Sequence, residues 1–217
     1  MKDFGTAVIL CGGRSARMGF DKSLLKINDE YLIDIIGGQL EQVFDNVILA
    51  TNSLGKIKGM KYRGVTDLIK DIGPLGGIYT ALKASDSRYV FVTACDMPVI
   101  NIGYIKYMME TIKRVGADGV ISCNGSYFEP LNAFYSVDML KIIDGEIKNK
   151  NFKIFDVLSK CRIHYVEDSI VQGFRRKTDM FANINCYSDL ALLEKIFTED
   201  SKTDGNCQAD KNIENYG

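Results

Sequence analysis

Two glycines, Gly12 and Gly13, stand just after the apolar run 6–10, and the cations Arg14, Arg17 and Lys22 follow within ten residues. Glycine lets backbone N–H groups approach an anion closely, and successive free N–H groups form an anion-binding nest. Arginine adds a fork of donors and lysine a point charge. The chemistry this pattern permits is the gripping of phosphate oxygens; a solvated glycine turn with incidental basic residues is the alternative. The spacing is neither G-x-G-x-x-G nor G-x-x-x-x-G-K-[ST], which disfavours kinases and dinucleotide dehydrogenases.

Asp96 is the second candidate. It follows the apolar run 90–94 and precedes Pro98, so a carboxylate projects from a rigid strand edge. Beside a phosphate loop it reads as a Mg²⁺-binding group, since Mg²⁺ keeps one or two protein carboxylates and takes its other ligands from phosphates and water. A helix N-cap is the alternative use. Asp67 ends another short run and serves either a nucleotide or a turn. The stretch 71–77 (DIGPLGG) is a glycine-rich turn opening a helix, where N–H donors and the positive dipole end gather. His164 reads as structural. Cys11 and Cys95, each beside a key motif, read as small packing residues; inactivation through their oxidation is the minority alternative.

These residues need elements to hold them at one place. Strand-like runs are expected at 6–10, 47–51, 64–67, 89–94, 119–122 and 163–166. Helical spacing is expected at 31–44, 76–84, 102–113, 137–147, 152–158 and 188–197. Alternation of the two through the first 125 residues implies βαβ units and a mainly parallel sheet covered by helices on both faces. In such a sheet, ligands bind at the carboxyl ends of the strands. The glycine loop, Thr51-Asn52-Ser53, Asp67 and Cys95-Asp96 all fall there.

Composition sets the limits. The chain has 217 residues, expected as one domain over 1–197 and a polar, disordered tail over 198–217. Net charge is −1, from 27 Lys+Arg against 28 Asp+Glu, which argues against a nucleic-acid or membrane-surface binder. The opening MKDFGTAVIL does not read as a secretory leader, and no apolar stretch is long enough to span a bilayer. Six scattered cysteines, no C-x-x-C pair and one histidine speak against structural zinc or a disulfide framework. A cytoplasmic location is expected.

Taken together the motifs resemble the nucleotidyltransferase family of α/β enzymes with a Rossmann-like fold, and most closely its molybdenum cofactor guanylyltransferases. The family signature L-A-G-G-x-S-x-R-M-G-x-D-K reads LCGGRSARMGFDK at 10–22. The resemblance continues through Thr66-Asp67, GPLGG at 73–77, ACDMP at 94–98, Glu129-Pro130-Leu131 and FANIN at 181–185. Asp21 before Lys22 points to the guanylyl branch, where cytidylyl relatives tend to carry Asn.

What the resemblance implies is Mg²⁺-dependent transfer of GMP from GTP to the phosphate of molybdenum-bearing molybdopterin, with release of pyrophosphate. Leu10, Cys11 and Gly12 would hold guanine and ribose through their backbone. Gly13, Arg17 and Lys22 would grip the triphosphate, with Asn52 and Asp67 on the nucleotide. Asp96 would bind the metal and act catalytically with Lys22 and Arg17. Gly76, Gly77, Asn183 and Asn185 would face the acceptor. GTP and molybdopterin are the implied substrates, with transient contact to cofactor-biosynthesis proteins or molybdoenzyme chaperones. Three departures stand out: Cys11 for Ala, Glu129 where His often precedes the proline, and Ala50 for Asn, which puts a nucleotide contact from that loop in question. A nucleotidyltransferase for another acceptor or base (molybdopterin with CTP, a phosphosugar, a phospholactate) and a non-catalytic pterin or nucleotide carrier remain the alternatives.

Overall fold

A computed structural model of the chain describes residues 1–12, 22–124, 127–175, 179–184, 189–190 and 193. The expected tail 198–217 and the expected helix over 188–197, apart from three of its residues, lie outside them, as do Gly13, Arg14, Arg17, Asp21 and Asn185. Residues Met1–Asn183 form one compact unit.

The chain runs β1 (Lys2–Leu10), β2 (Lys26–Ile27), β3 (Glu30–Tyr31), α1 (Leu32–Leu40), β4 (Asn46–Thr51) and β5 (Arg63–Thr66). It continues through α2 (Pro74–Ala84), β6 (Ser87–Ala94), α3 (Ile102–Val115), β7 (Gly119–Asn124) and β8 (Tyr127–Ser136). The last described elements are α4 (Leu140–Lys148), α5 (Ile154–Leu158), β9 (Ile163–Val166) and α6 (Asp168–Phe174). Seven strands form one sheet in the order β5-β4-β1-β6-β8-β7-β9, and β2-β3 is a separate hairpin. Every pairing in the large sheet is parallel except those of β8, so the expected mainly parallel α/β sheet is what the structure has.

The central strands are apolar on both sides because helices cover both faces. Val8, Leu10, Val90 and Val92 pack with Leu75, Ile78, Ile143 and Val157 of α2, α4 and α5. On alternate positions, Phe91 stacks on Phe44 at 5.6 Å and meets Phe134 of β8 at 5.2 Å between ring centroids. Helix ends follow local chemistry. Asn101 caps α3 by accepting from the Tyr104 N–H at 2.9 Å, and Gly116 ends it in the left-handed region at φ 62°.

The described elements not expected from the sequence are the short β2–β3 hairpin, β8 and α6. Pro130 and Asn132 interrupt the apolar run of β8, and Asn132 sits at φ 62°. There the register breaks: Val120 faces Phe134, whereas Ser122 faces Glu129, so three extra residues bulge out of β8. The bulge hides the alternation by which a strand is read. It also ends the β6–β8 pairing at Val92 opposite Ala133, short of the end of β6.

Two glycines test this packing from opposite sides. A Cβ on Gly119 of β7 would lie 2.7 Å from the Phe134 carbonyl oxygen of β8, a backbone atom that cannot move alone. Gly145, inside α4, has no atom within 4 Å of such a Cβ. Gly119→Ala is expected to lower stability by about 1–3 kcal/mol. Gly145→Ala should raise it by about 0.4–1 kcal/mol. Denaturant midpoints at constant m-value read both.

Candidate active site

The site is built at the carboxyl edge of the parallel strands. The ladder runs one residue beyond the strand ends. Cys11 N–H donates to Ala50 O at 2.7 Å, Cys95 N–H to Leu10 O at 3.1 Å, and Asp67 N–H to Thr51 O at 2.9 Å. Leu10 lies opposite both Ala50 of β4 and Ala94 of β6. The residues that leave β1, β5 and β6 are thereby fixed side by side. This is where strand order reverses, with β4 and β5 on one side of β1 and β6 on the other.

Lys22 and Asp96 meet at this edge. Lys22 Nζ donates to Asp96 Oδ2 at 2.8 Å, with 16 % and 24 % of their side chains exposed. They are 74 residues apart in sequence, so the fold alone unites them. Lys22 lies in a single 3-10 turn, Lys22–Leu24. Asp96 is not a helix cap, since Asn101 performs that task for α3.

Asp67 joins the group from β5. A Cβ placed on Gly12 would stand 3.3 Å from Asp67 Oδ2, so the carboxylate lies close against the start of the glycine loop. Burial pushes the Asp67 carboxyl above its ordinary value, and Lys70 offsets part of that rise. Asn52 is exposed at the neighbouring exit of β4. Leu10 and Cys11 are each 7 % exposed and Cys95 is 8 % exposed, as small packing groups are.

Glu129 adds a further carboxylate, close enough to feel the charge of Asp96. Burial raises its pKa first of all; the Leu131 N–H it accepts at 3.0 Å opposes this, and the charge of Asp96 adds to the rise. The bulge that brings it there is anchored from three sides. Tyr135 donates its hydroxyl to Pro130 O at 2.5 Å, Glu129 holds Leu131, and Asn132 donates to Met180 O at 3.2 Å. The last bond reaches the segment that carries the exposed Asn183.

Gly76 and Gly77 open α2 behind Pro74. A Cβ on Gly76 would meet the Ile69 carbonyl oxygen at 2.8 Å, a backbone atom that requires glycine there, whereas one on Gly77 would press on Leu10 Cδ1 at 2.8 Å and displace that side chain. His164 lies in β9, half-buried, as a sheet residue. Among the described residues, no three His, Cys, Asp or Glu side chains gather as a metal cage, and no helix is long and apolar enough to cross a membrane.

Sequence reading found Lys22, Asp67 and Asp96 through motif and strand position. It did not find Gln39, an unremarkable residue of an amphipathic helix, whose side chain holds the backbone at Pro98 and Ile100 beside Asp96. Only the packing of α1 under the β6 exit reveals it.

Comparison with known proteins agrees with this arrangement. The model of the MobA-like NTP transferase domain matches residues 7–159. A protein of Peptoclostridium acidaminophilum named as a probable molybdenum cofactor guanylyltransferase is 37 % identical over 212 residues, covering 95 % of this chain and 96 % of that one. The molybdenum cofactor guanylyltransferase of Syntrophotalea carbinolica is 40 % identical over 186 residues, covering 86 % and 89 %. In fold the chain is similar to molybdopterin-guanine dinucleotide biosynthesis protein A of Archaeoglobus fulgidus, with a TM-score of 0.74, 24 % identity and coverage of 89 % and 99 %. It is similar also to 2-C-methyl-D-erythritol 4-phosphate cytidylyltransferase of Francisella tularensis, with a TM-score of 0.65, 15 % identity and coverage of 88 % and 99 %. With a cation and a carboxylate joined at the switch point of the sheet, and near full-length relatives of one kind, the chain belongs to the MobA-like NTP transferase family of nucleotidyltransferases.

Proposed function

We propose that this protein transfers GMP from GTP to the terminal phosphate of molybdenum-bearing molybdopterin and releases pyrophosphate. The observation that carries it is the Lys22–Asp96 pair at 2.8 Å on the carboxyl edge of β1 and β6, in a chain whose relatives are named molybdenum cofactor guanylyltransferases. An acceptor phosphate oxygen attacks the α-phosphorus, the new P–O bond forms, and the bond to the β-phosphate oxygen breaks.

The acceptor is already an anion, so no strong base is required. Two demands remain, repulsion between the acceptor and the triphosphate, and charge growing on the departing pyrophosphate. Lys22 meets both as a fixed positive charge, and Arg17 shares the task by its place in the signature. Gly13 lends backbone N–H to the triphosphate. Leu10, Cys11 and Gly12 hold guanine and ribose through main-chain groups, with Asn52 and Asp67 as side-chain partners. Gly76, Gly77, Asn183 and Asn185 serve the acceptor side.

The donor set fits Mg²⁺: Asp96, with Glu129 within range of its charge, offers one or two carboxylates, and phosphates and water would supply the remaining ligands. When bound, the ion neutralises phosphate charge and fixes the triphosphate for in-line attack. Until then Lys22 holds the Asp96 carboxylate in place and limits the repulsion between Asp96 and Glu129. A cytoplasmic location suits both proposed substrates.

The direct experiment is incubation with each labelled nucleoside triphosphate, Mg²⁺ and molybdopterin, with identification of the product by mass. A guanine dinucleotide from GTP is the expected product; a cytosine product, or none, overturns the proposal. Lys22→Ala and Asp96→Asn should both lower kcat by about 10²–10³-fold. They should differ in metal dependence: Mg²⁺ half-saturation rises in Asp96→Asn but not in Lys22→Ala, which frees Asp96 from a competitor.

Asp67 gives a second, pH-based check. An acid whose pKa is raised by folding contributes stability that is present below its unfolded pKa and lost as pH rises through its folded value. Asp67→Asn is therefore expected to raise Tm at pH 7 to 8, with the gain vanishing below the ordinary carboxylate range. GTP affinity of the wild type should fall on acidification through the raised Asp67 pKa, and that fall should be absent from Asp67→Asn.

A further inference from the structure

Gln39 lies on α1, remote in sequence from every motif of the site, yet it clamps the loop that follows β6. Its Nε2 donates to the Pro98 carbonyl at 3.0 Å, and its Oε1 accepts from the Ile100 N–H at 3.2 Å. Nε2 also reaches Ile35 O at 3.3 Å, one turn back on its own helix. Only one orientation of the amide serves a carbonyl and an N–H together, so the pair of bonds fixes the side chain as well as the loop.

Pro98 and Ile100 are both buried, so these backbone groups need a partner within the protein. The loop begins with a turn closed by the Met97 N–H on Ala94 O at 3.1 Å and ends at the Asn101 cap of α3. Between those points Pro98 has no N–H to offer, and the stretch is held by Gln39. Asp96 stands two residues upstream of the first clamped carbonyl.

We infer that Gln39 is a positioning residue for the Asp96 carboxylate, setting its reach toward the divalent cation that accompanies the triphosphate. The inference rests on the assignment of Asp96 as the metal-binding carboxylate. Without Gln39, two buried backbone groups lose their partners and the loop relaxes toward water. Asp96 then keeps its bond to Lys22, which draws it toward the lysine instead of the metal. A carboxylate displaced by a fraction of an ångström binds an ion of strict octahedral geometry poorly.

The test is Mn²⁺ binding, followed by the electron paramagnetic resonance of free Mn²⁺, to the full chain saturated with guanosine 5′-(α,β-methylene)triphosphate. That analogue cannot be cleaved at the α–β bridge, so no turnover enters the readout. Gln39→Leu should weaken Mn²⁺ binding about tenfold, the scale seen when a group supporting a metal ligand is removed. Binding of the analogue without metal, read by calorimetry, should not change. Gln39→Glu keeps an acceptor for Ile100 but sets an oxygen against Pro98 O, and it should weaken Mn²⁺ binding as well.

Ordinary Mn²⁺ affinity in a folded Gln39 variant, beside lost affinity in Asp96→Asn, overturns the role of Gln39 alone. Ordinary affinity in Asp96→Asn overturns the metal assignment beneath it. If Gln39→Leu does not fold, Gln39→Glu decides by the same criterion. Failure of both to fold overturns the inference too, because Gln39 then serves the fold and not the loop.

Discussion

The site depends on backbone hydrogen bonds that carry the sheet ladder one residue past the strands. Cys11 N–H on Ala50 O, Cys95 N–H on Leu10 O and Asp67 N–H on Thr51 O leave little freedom to the first residues of three loops. Loops are ordinarily the variable part of a domain. Here their first positions inherit the rigidity of the sheet, so Asp67 and Asp96 are placed by main-chain geometry before any side-chain contact is made. The buried residues around them, Leu10, Cys11, Ala94 and Cys95, exclude water from that edge.

On this frame the charges are arranged against one another. Asp67, Asp96 and Glu129 are three carboxylates at one end of a sheet, and burial raises two of them, Asp67 and Glu129. Negative groups in such a place cost stability unless compensated. Lys22 compensates Asp96 directly, and Lys70 lowers part of the cost at Asp67. A site tuned only for stability would place Asn at 67, as it would avoid the desolvation. The retained charge is in keeping with the nucleotide contact proposed for Asp67.

Much of the frame was legible in the sequence because parallel strands buried on both faces are written as short continuous apolar runs. β1, β4, β5, β6, β7 and β9 all lie where such runs stand, although β1 begins earlier, at Lys2. β8 was not legible: Glu129, Pro130 and Asn132 break its pattern at a bulge that leaves Glu129 within range of the Asp96 charge. The helix expected over 31–44 ends at Leu40, and its last residues form a turn that sets Phe44 on Phe91. In the site, residues on strand exits could be read, because their position follows from strand order. Gln39 could not, because its importance comes from tertiary packing and a glutamine on a helix carries no signature.

The strand order also governs how the molecule is made. β1 lies at the middle of the parallel block, but both of its neighbours, β4 and β6, come later in the chain. Its first partner is complete only at Thr51 and its second only at Ala94, and β8 closes the far side of β6 at Ser136. During synthesis an apolar strand with no charged residue after Asp3 therefore waits with an open edge until β6 is complete at Ala94. Long loop closures of this kind slow folding, and exposed edges favour pairing with other chains. The arrangement that gives the active edge its rigidity thus makes the nascent chain dependent on protection until the middle of its sequence has emerged.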